Sequence, residues 1–234
     1  MSFFFLLYKI KRGFRSFVFR DLKTDRHINL EMPIREAIKI YRREFMTTNE
    51  IALGCRTFRR FLQKEIPLEI IQSMLENARI SPSSGNMQKL KYIVVRDKAK
   101  LKKMQDYVKF AGYLPPALGM PHEDEKPVSF IVIVKDKGSG SDIDVGIACH
   151  AIITTAYESG IGSCIMGAID RPSIKELLEI DEEDEVSLAI AQGYPACKSS
   201  IVSMKEDQDI KYYVDQDRNY FVPKRNFDDI VRII

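Results

Sequence analysis

The sequence predicts one α+β domain over residues 46–234, preceded by a basic extension of residues 1–45. Three observations lead there. A helical repeat near 3.6 (Ile70, Ile71, Met74, Leu75, Ala78) is followed by short, nearly all-apolar runs of strand length, Val128–Val134 and Ser187–Gly193. No internal repeat or low-complexity linker divides the stretch. The 234 residues, 45% hydrophobic and 29% charged, suit a single globular core.

Taken in order, the chain opens with Phe3-Phe4-Phe5-Leu6-Leu7-Tyr8. Lys9, Lys11, Arg12, Arg15 and Arg20 then interleave with Phe14, Phe17, Val18 and Phe19. This apolar run falls far short of the ~20 residues that span a bilayer. Two readings stay open for residues 1–20: a tail packed on the body, or a basic amphipathic segment in weak contact with a membrane surface. Residues 1–45 carry 11 Lys/Arg against 5 Asp/Glu, whereas the remainder carries 25 against 28. Ile34, Ala37, Ile38 and Tyr41 predict a helix from Pro33 to Arg43.

A second helix starts at Ile66-Pro67, where the missing proline N–H costs nothing. It stops at Ser81-Pro82, because the residue before a proline is pushed out of the helical region. Tyr92–Val95 and Val128–Val134 read as strands, the latter buried on both faces. Between them, Gly112–Pro127 holds four prolines and two glycines, a long loop of the kind that forms a lid. Ser141 or Asp142 caps a helix to Ser159, apolar almost all round and so destined for a core or an interface, with Gly160 as its stop. Ile161–Ile169 reads as strand or extended loop, Ser173–Ile180 as a short helix and Ser187–Gly193 as a buried strand. Tyr212–Ile234 is expected to be extended to about Pro223 and helical beyond it.

The composition also excludes classes of function. A net charge of +3 argues against a nucleic-acid partner. Cys55, Cys149, Cys164 and Cys197 lie far apart, so neither a zinc site nor an iron–sulfur cluster is expected, and no metal residues are named. With no secretory signal, free thiols in a reducing cytoplasm are expected. His27, His122 and His150 are isolated, which leaves little material for a hydrolytic triad.

Four short stretches carry chemistry. Arg56-Thr57-Phe58-Arg59-Arg60-Phe61 offers three guanidiniums and a hydroxyl, a set suited to phosphate, although runs of arginine are commonly solvated faces. Ser81-Pro82-Ser83-Ser84-Gly85-Asn86-Met87-Gln88 lets backbone approach a flat ligand and presents two amides, or is a capped turn. Gly160-Ile161-Gly162-Ser163-Cys164-Ile165-Met166-Gly167 either exposes backbone N–H groups or shapes a bend. Pro223-Lys224-Arg225-Asn226 is a phosphate clamp or an exposed basic pair.

Together, in this order and spacing, the four stretches resemble the nitroreductase family. Thr57, Arg59 and Phe61 fall on an Arg-x-Ser-x-Arg-x-Phe segment, with Cys55 in place of its first Arg. Pro82–Gln88 matches the Pro-Ser-Ser-x-Asn-x-Gln loop, with Lys89-Leu90 where Pro-Trp is frequent. The resemblance covers about residues 46–234. It implies a central, mainly antiparallel sheet flanked by helices, and an intertwined homodimer with FMN at the interface. By the same resemblance Arg56, Thr57, Arg59, Lys224 and Arg225 contact the FMN phosphate and ribityl chain, with Lys224 and Arg225 on a C-terminal segment that embraces the partner and so able to serve the neighbouring chain's site, and Arg59 reaches toward the pyrimidine edge. Pro82, Ser83, Ser84, Asn86 and Gln88 line the ring, while Ile165, Met166 and Gly167 turn backbone N–H groups toward it. The implied activity is ping-pong: NADH or NADPH reduces FMN, leaves, and a small acceptor such as a nitroaromatic or quinone follows. No catalytic acid or base is required, since the cofactor carries the chemistry; Tyr113 and His122 are the lid-loop groups able to donate a proton. Other activities within the family (reductive dehalogenation, flavin cleavage, ring dehydrogenation) and a non-catalytic or regulatory FMN-binding role are the alternatives.

Overall fold

The computed structural model describes the backbone of residues 4–11, 14–21 and 26–31, and residues 46–139, 141–204 and 209–234 in full. Two compact units result, Met1–Glu50 and Ile51–Ile234. In the first, β1 (Phe4–Lys11), β2 (Phe14–Asp21) and β3 (Arg26–Glu31) form an antiparallel meander, Tyr8 opposite Phe17 and Phe17 opposite Leu30. The segment left open in the sequence is thus strand; the helix expected at Pro33–Arg43 lies outside the described residues.

The second unit is built on β4 (Phe61–Leu62), β5 (Leu90–Val95), β6 (Ser129–Asp136), β7 (Gly162–Met166) and β8 (Asp184–Pro195). Every pairing is antiparallel: β6 lies between β5 and β8, and β8 also carries β7 and β4. The all-apolar character of β6 follows from its position, because residues alternate between two faces and both are covered. Phe130, Val132 and Val134 join a core with Phe58, Phe61, Met104 and Ile174. Ile131 and Ile133 join the opposite core with Ile71, Met74, Val145 and Ile152. The second core is roofed by α2 (Leu68–Arg79) and α5 (Asp142–Glu158); the first by α3 (Lys98–Asp106) and α6 (Arg171–Leu177). The result is a helix–sheet–helix sandwich, the α+β arrangement the sequence predicts.

Three shorter features remain. α1 (Thr48–Gly54) begins with a reciprocal cap: Glu50 N donates to Thr47 Oγ1 at 3.2 Å and Thr47 N to the Glu50 carboxylate at 2.7 Å. The lid loop contains a single helical turn, α4 (Pro116–Gly119). Towards the C-terminus β9 (Ser199–Ser203) pairs in parallel with β11 (Tyr220–Lys224), which also pairs with β10 (Tyr213–Val214). The helix expected after Pro223 does not form. Phe227–Asp229 makes one 3-10 turn, and Phe227, Ile230, Ile233 and Ile234 are exposed, so there is no packing surface to offset the cost of nucleating a helix this short.

Candidate cofactor site

The first arginine motif is held where α1 meets α5 and β7. Cys55 Sγ approaches the Ile153 carbonyl at 3.5 Å, and Phe58 stacks on Tyr157 with ring centroids 6.4 Å apart. Phe58 N donates to the Ser163 carbonyl at 3.0 Å, and Thr57 bridges Ser163 in parallel. Gly162 permits this approach, since a Cβ there would lie 2.8 Å from Phe58 Cγ and 2.9 Å from Pro195 Cγ. Gly162→Ala is therefore expected to cost about 1–3 kcal/mol by overpacking. In thermal unfolding it would appear as a lowered midpoint; an unchanged midpoint would show that Phe58 gives way freely.

From this anchor the three guanidiniums diverge instead of converging on one phosphate. Arg56 turns back to the Ala52 carbonyl, leaving its Nε buried without a hydrogen-bond partner. Arg59 lies over two rings, 4.3 Å from the Tyr212 centroid and 5.0 Å from that of Tyr220, and has no ion pair among the described residues. Arg60, only 3% exposed, reaches Glu125 at 3.5 Å.

Glu125 is the centre of a network the sequence did not suggest. Arg218 Nη1 donates to both carboxylate oxygens, at 3.2 and 3.0 Å, and Arg218 Nη2 donates to the Met120 carbonyl at 2.8 Å. His122 N donates to the same carboxylate at 3.0 Å. Arg218 sits in a tight turn with φ +61°, closed by Asn219 N donating to Asp215 Oδ1 at 2.8 Å. Tyr113 rests on Tyr212, centroids 5.3 Å apart. The lid loop is thus pinned to the body and to the C-terminal segment, while the side chains of Tyr113 and His122 stay exposed. Burial pushes the Glu125 carboxyl up, but the His122 amide and the Arg218 and Arg60 charges prevail and hold it below 4.5. A depressed folded-state value gives stability that is complete above about pH 4.5 and lost as pH falls through the lower folded value. Melting curves between about pH 3 and 6 are expected to show this loss in the parent protein and not in Glu125→Gln. Parallel curves for the two would overturn it.

The second motif stands elsewhere. Ser84 donates through both N and Oγ to Asp144 Oδ1, each at 3.0 Å, which places the Pro82–Gln88 loop at the first turn of α5. Gly85, Asn86 and Gln88 have φ values of +56°, +54° and +50°, and all three are exposed. Tyr157, beside the first motif, lies 13 residues further along the same helix, about 20 Å at 1.5 Å per residue. One chain therefore carries its two most specific motifs at opposite ends of α5.

The third and fourth motifs lie nearer the first. β7 ends at Met166, which is buried, whereas Ile165 is 43% exposed and Gly167 faces open space with nothing within 4 Å of its Cβ direction. Lys224 ends β11 and is exposed, and Arg225 Nη2 donates to the Asp229 carbonyl at 3.2 Å. Tyr220, four residues before Lys224, lies beneath Arg59, so the C-terminal segment and the arginine motif adjoin. Burial pushes the Cys164 thiol up to about 11, against the nearby Arg59 charge, and that of Cys149 to about 12; neither is a thiolate nucleophile at neutral pH. No group of three or more metal-ligating side chains occurs among the described residues. A cavity of about 750 Å³ between Lys135, Arg171 and Glu179 holds none of the motif residues.

The arginine side of this site suits an anionic group. It offers a buried guanidinium nitrogen lacking an acceptor at Arg56, an arginine at 59 held by aromatic rings without an anion, and open space beside Gly167.

The nitroreductase family model matches residues 53–112 and 124–194, more than half of the sequence, and the chain belongs to this family. The unmatched gap coincides with the lid loop, and Lys224-Arg225 lie beyond the match. A protein of Archaeoglobus fulgidus provisionally named NADH dehydrogenase/NAD(P)H nitroreductase is 32% identical over 149 residues, 60% of this chain and 80% of the relative. An iodotyrosine deiodinase of Haliscomenobacter hydrossis is 24% identical over 168 residues, 60% of this chain and 76% of the relative. Among solved structures, an FMN-dependent nitroreductase of Clostridium difficile superposes with a TM-score of 0.52 at 27% identity, covering 65% of this chain and 88% of that one. The chain is accordingly an oxidoreductase with the nitroreductase fold.

Proposed function

We propose that this protein is a homodimeric FMN enzyme that takes hydride from NADH or NADPH and reduces a small acceptor, a nitroaromatic or quinone, by a ping-pong mechanism. The observation that carries the proposal is the separation of the motifs along α5. The loop is tied to one end of α5 and the arginine motif packs on Tyr157, about 20 Å further along that helix, so a second copy of the chain is what brings the two motifs to one ligand, and a two-fold pair of chains does so twice. Residues 46–234 are the catalytic body in this reading, and the four unpaired cysteines accord with a cytoplasmic location.

When bound, FMN supplies the ring that accepts hydride and passes it on. The chain's own residues bind and polarise. Arg56, Thr57, Lys224 and Arg225 hold the phosphate and ribityl end. Arg59, fixed over Tyr212 and Tyr220, places a positive charge where negative charge develops on reduction, a preorganised stabilisation that needs no motion at the moment of transfer. The backbone N–H groups of Ile165, Met166 and Gly167 address the ring at the open end of β7. Pro82, Ser83, Ser84, Asn86 and Gln88 form its wall from the other copy. No side chain acts as nucleophile.

The experiment is the visible spectrum of the purified protein before and after anaerobic NADH or NADPH. A flavin spectrum that bleaches is expected; a protein that stays colourless and cannot be reconstituted with FMN would refute the reading. Reductive dehalogenation ranks second, supported by the deiodinase relative, and halide release from a halogenated phenol in the presence of reductant would favour it.

A further inference from the structure

We propose that Asp144 is a positioning residue for the cofactor: its carboxylate, acting through Ser84, fixes the left-handed shape of the loop that lines the flavin ring. This rests on the FMN reading above. Asp144 is 3% exposed and has no ion pair among the described residues, so it does not serve to hold a lysine or arginine. A buried carboxylate is costly unless its charge is used. Here the first turn of α5 stabilises it through the helix dipole, and Oδ1 accepts two hydrogen bonds from one residue, Ser84 N and Oγ, both at 3.0 Å.

Further along, the loop closes on itself beside that tie. Asn86 N donates to the Ser83 carbonyl at 2.9 Å, Met87 N to the Ser84 carbonyl at 3.1 Å, and Gln88 N to Ser83 Oγ at 3.3 Å. Asn86 and Gln88 are non-glycine residues at positive φ, a conformation disfavoured unless the surroundings over-determine it. Packing does not supply that constraint: the loop residues from Ser84 to Gln88 are exposed, and a cavity of about 130 Å³ separates Pro82, Ser83 and Gln88 from Tyr92 and Ala148. Both loop-to-α5 hydrogen bonds end on Asp144, so the carboxylate sets where Asn86 and Gln88 project.

The test compares Asp144→Ala, Asp144→Asn and Ser84→Ala in two measurements: FMN titration, and amide hydrogen exchange over residues 82–88 in the flavin-free protein. Asp144→Ala is expected to weaken FMN binding roughly tenfold or more and to speed exchange across the loop, since both acceptor contacts vanish. Asp144→Asn retains an oxygen that accepts the same two bonds and is expected to restore both readouts to within about threefold of the parent. Ser84→Ala, which removes the hydroxyl donor alone, falls between. FMN binding by Asp144→Ala within twofold of the parent, unchanged exchange, or an asparagine variant as impaired as alanine would each overturn the proposal. Should Asp144→Ala fail to fold, Ser84→Ala with parental exchange would overturn it equally. A parent protein that takes up no FMN refutes the cofactor reading itself, and the exchange comparison, which needs no flavin, tells the two failures apart.

Discussion

Replacing Arg59 by alanine is expected to raise the FMN dissociation constant roughly ten- to hundredfold, the worth of a charged donor at about 1.5–3 kcal/mol. The guanidinium is preorganised: Tyr212 and Tyr220 hold it by cation–π contact, and among the described residues no carboxylate competes for it. Its removal thus takes away a group already oriented for an anionic partner. The same variant is expected to lower the flavin midpoint potential in whatever protein retains flavin, because in the proposed site the reduced, anionic form loses the positive charge of Arg59. Fluorescence titration with FMN checks the first effect and dye-equilibrated reduction the second. Parental affinity and potential together would place the cofactor away from Arg59.

Glu125→Ala is expected to lower the unfolding free energy by about 1–3 kcal/mol, between the cost of losing a surface pair and that of stripping a partner from a buried one, because Arg60 is buried whereas Glu125 and Arg218 are partly exposed. Arg60 already has Nε and Nη2 buried without partners, and Arg218 has Nε in the same condition, so loss of the carboxylate strands two cations. Urea unfolding measures it. Glu125→Gln, which keeps oxygen and shape but not charge, is expected to lose less. A shift below about 1 kcal/mol in Glu125→Ala would mean that the pair contributes no more than a surface contact. The lid loop is expected to become protease-sensitive between Tyr113 and Lys126 in the alanine variant, for it loses the tie to Arg218.

The elements that could be read from the sequence are those whose pattern is local. α2 shows its 3.6 repeat, β6 its two buried faces, and α5 its apolar circumference between Ser141 and Gly160. α3 escaped notice because four lysines surround its apolar positions, Leu101 and Met104; only the Asp97 cap, accepting from Lys100 N at 2.9 Å, signalled it. β10 falls in the stretch expected to be extended, whereas β9 is an exposed strand that exists because β11 pairs with it, a non-local cause. The same division holds in the site. Arg59 and the Pro82–Gln88 loop stood out by residue type and spacing. Arg60 was indistinguishable from its neighbours until Glu125, sixty-five positions on, gave it a half-buried partner. Asp144 carries no signal in the sequence that sets it apart from other acidic residues, and only the fold brings Ser84 to it.

The placement of two motifs at opposite ends of α5 has a genetic counterpart. If each cofactor site draws its arginines from one copy and its loop from another, damage to the two motifs is not additive across a population of chains. A protein carrying Arg59→Ala and one carrying Asn86→Ala are each defective at both sites of a homodimer. Co-expressed, they form mixed pairs in which one site collects both lesions and the other collects neither. Random assortment makes about half of the dimers mixed, so roughly a quarter of the sites regain full function. Two inactive alleles would then complement within one gene, whereas two lesions in the same motif would not.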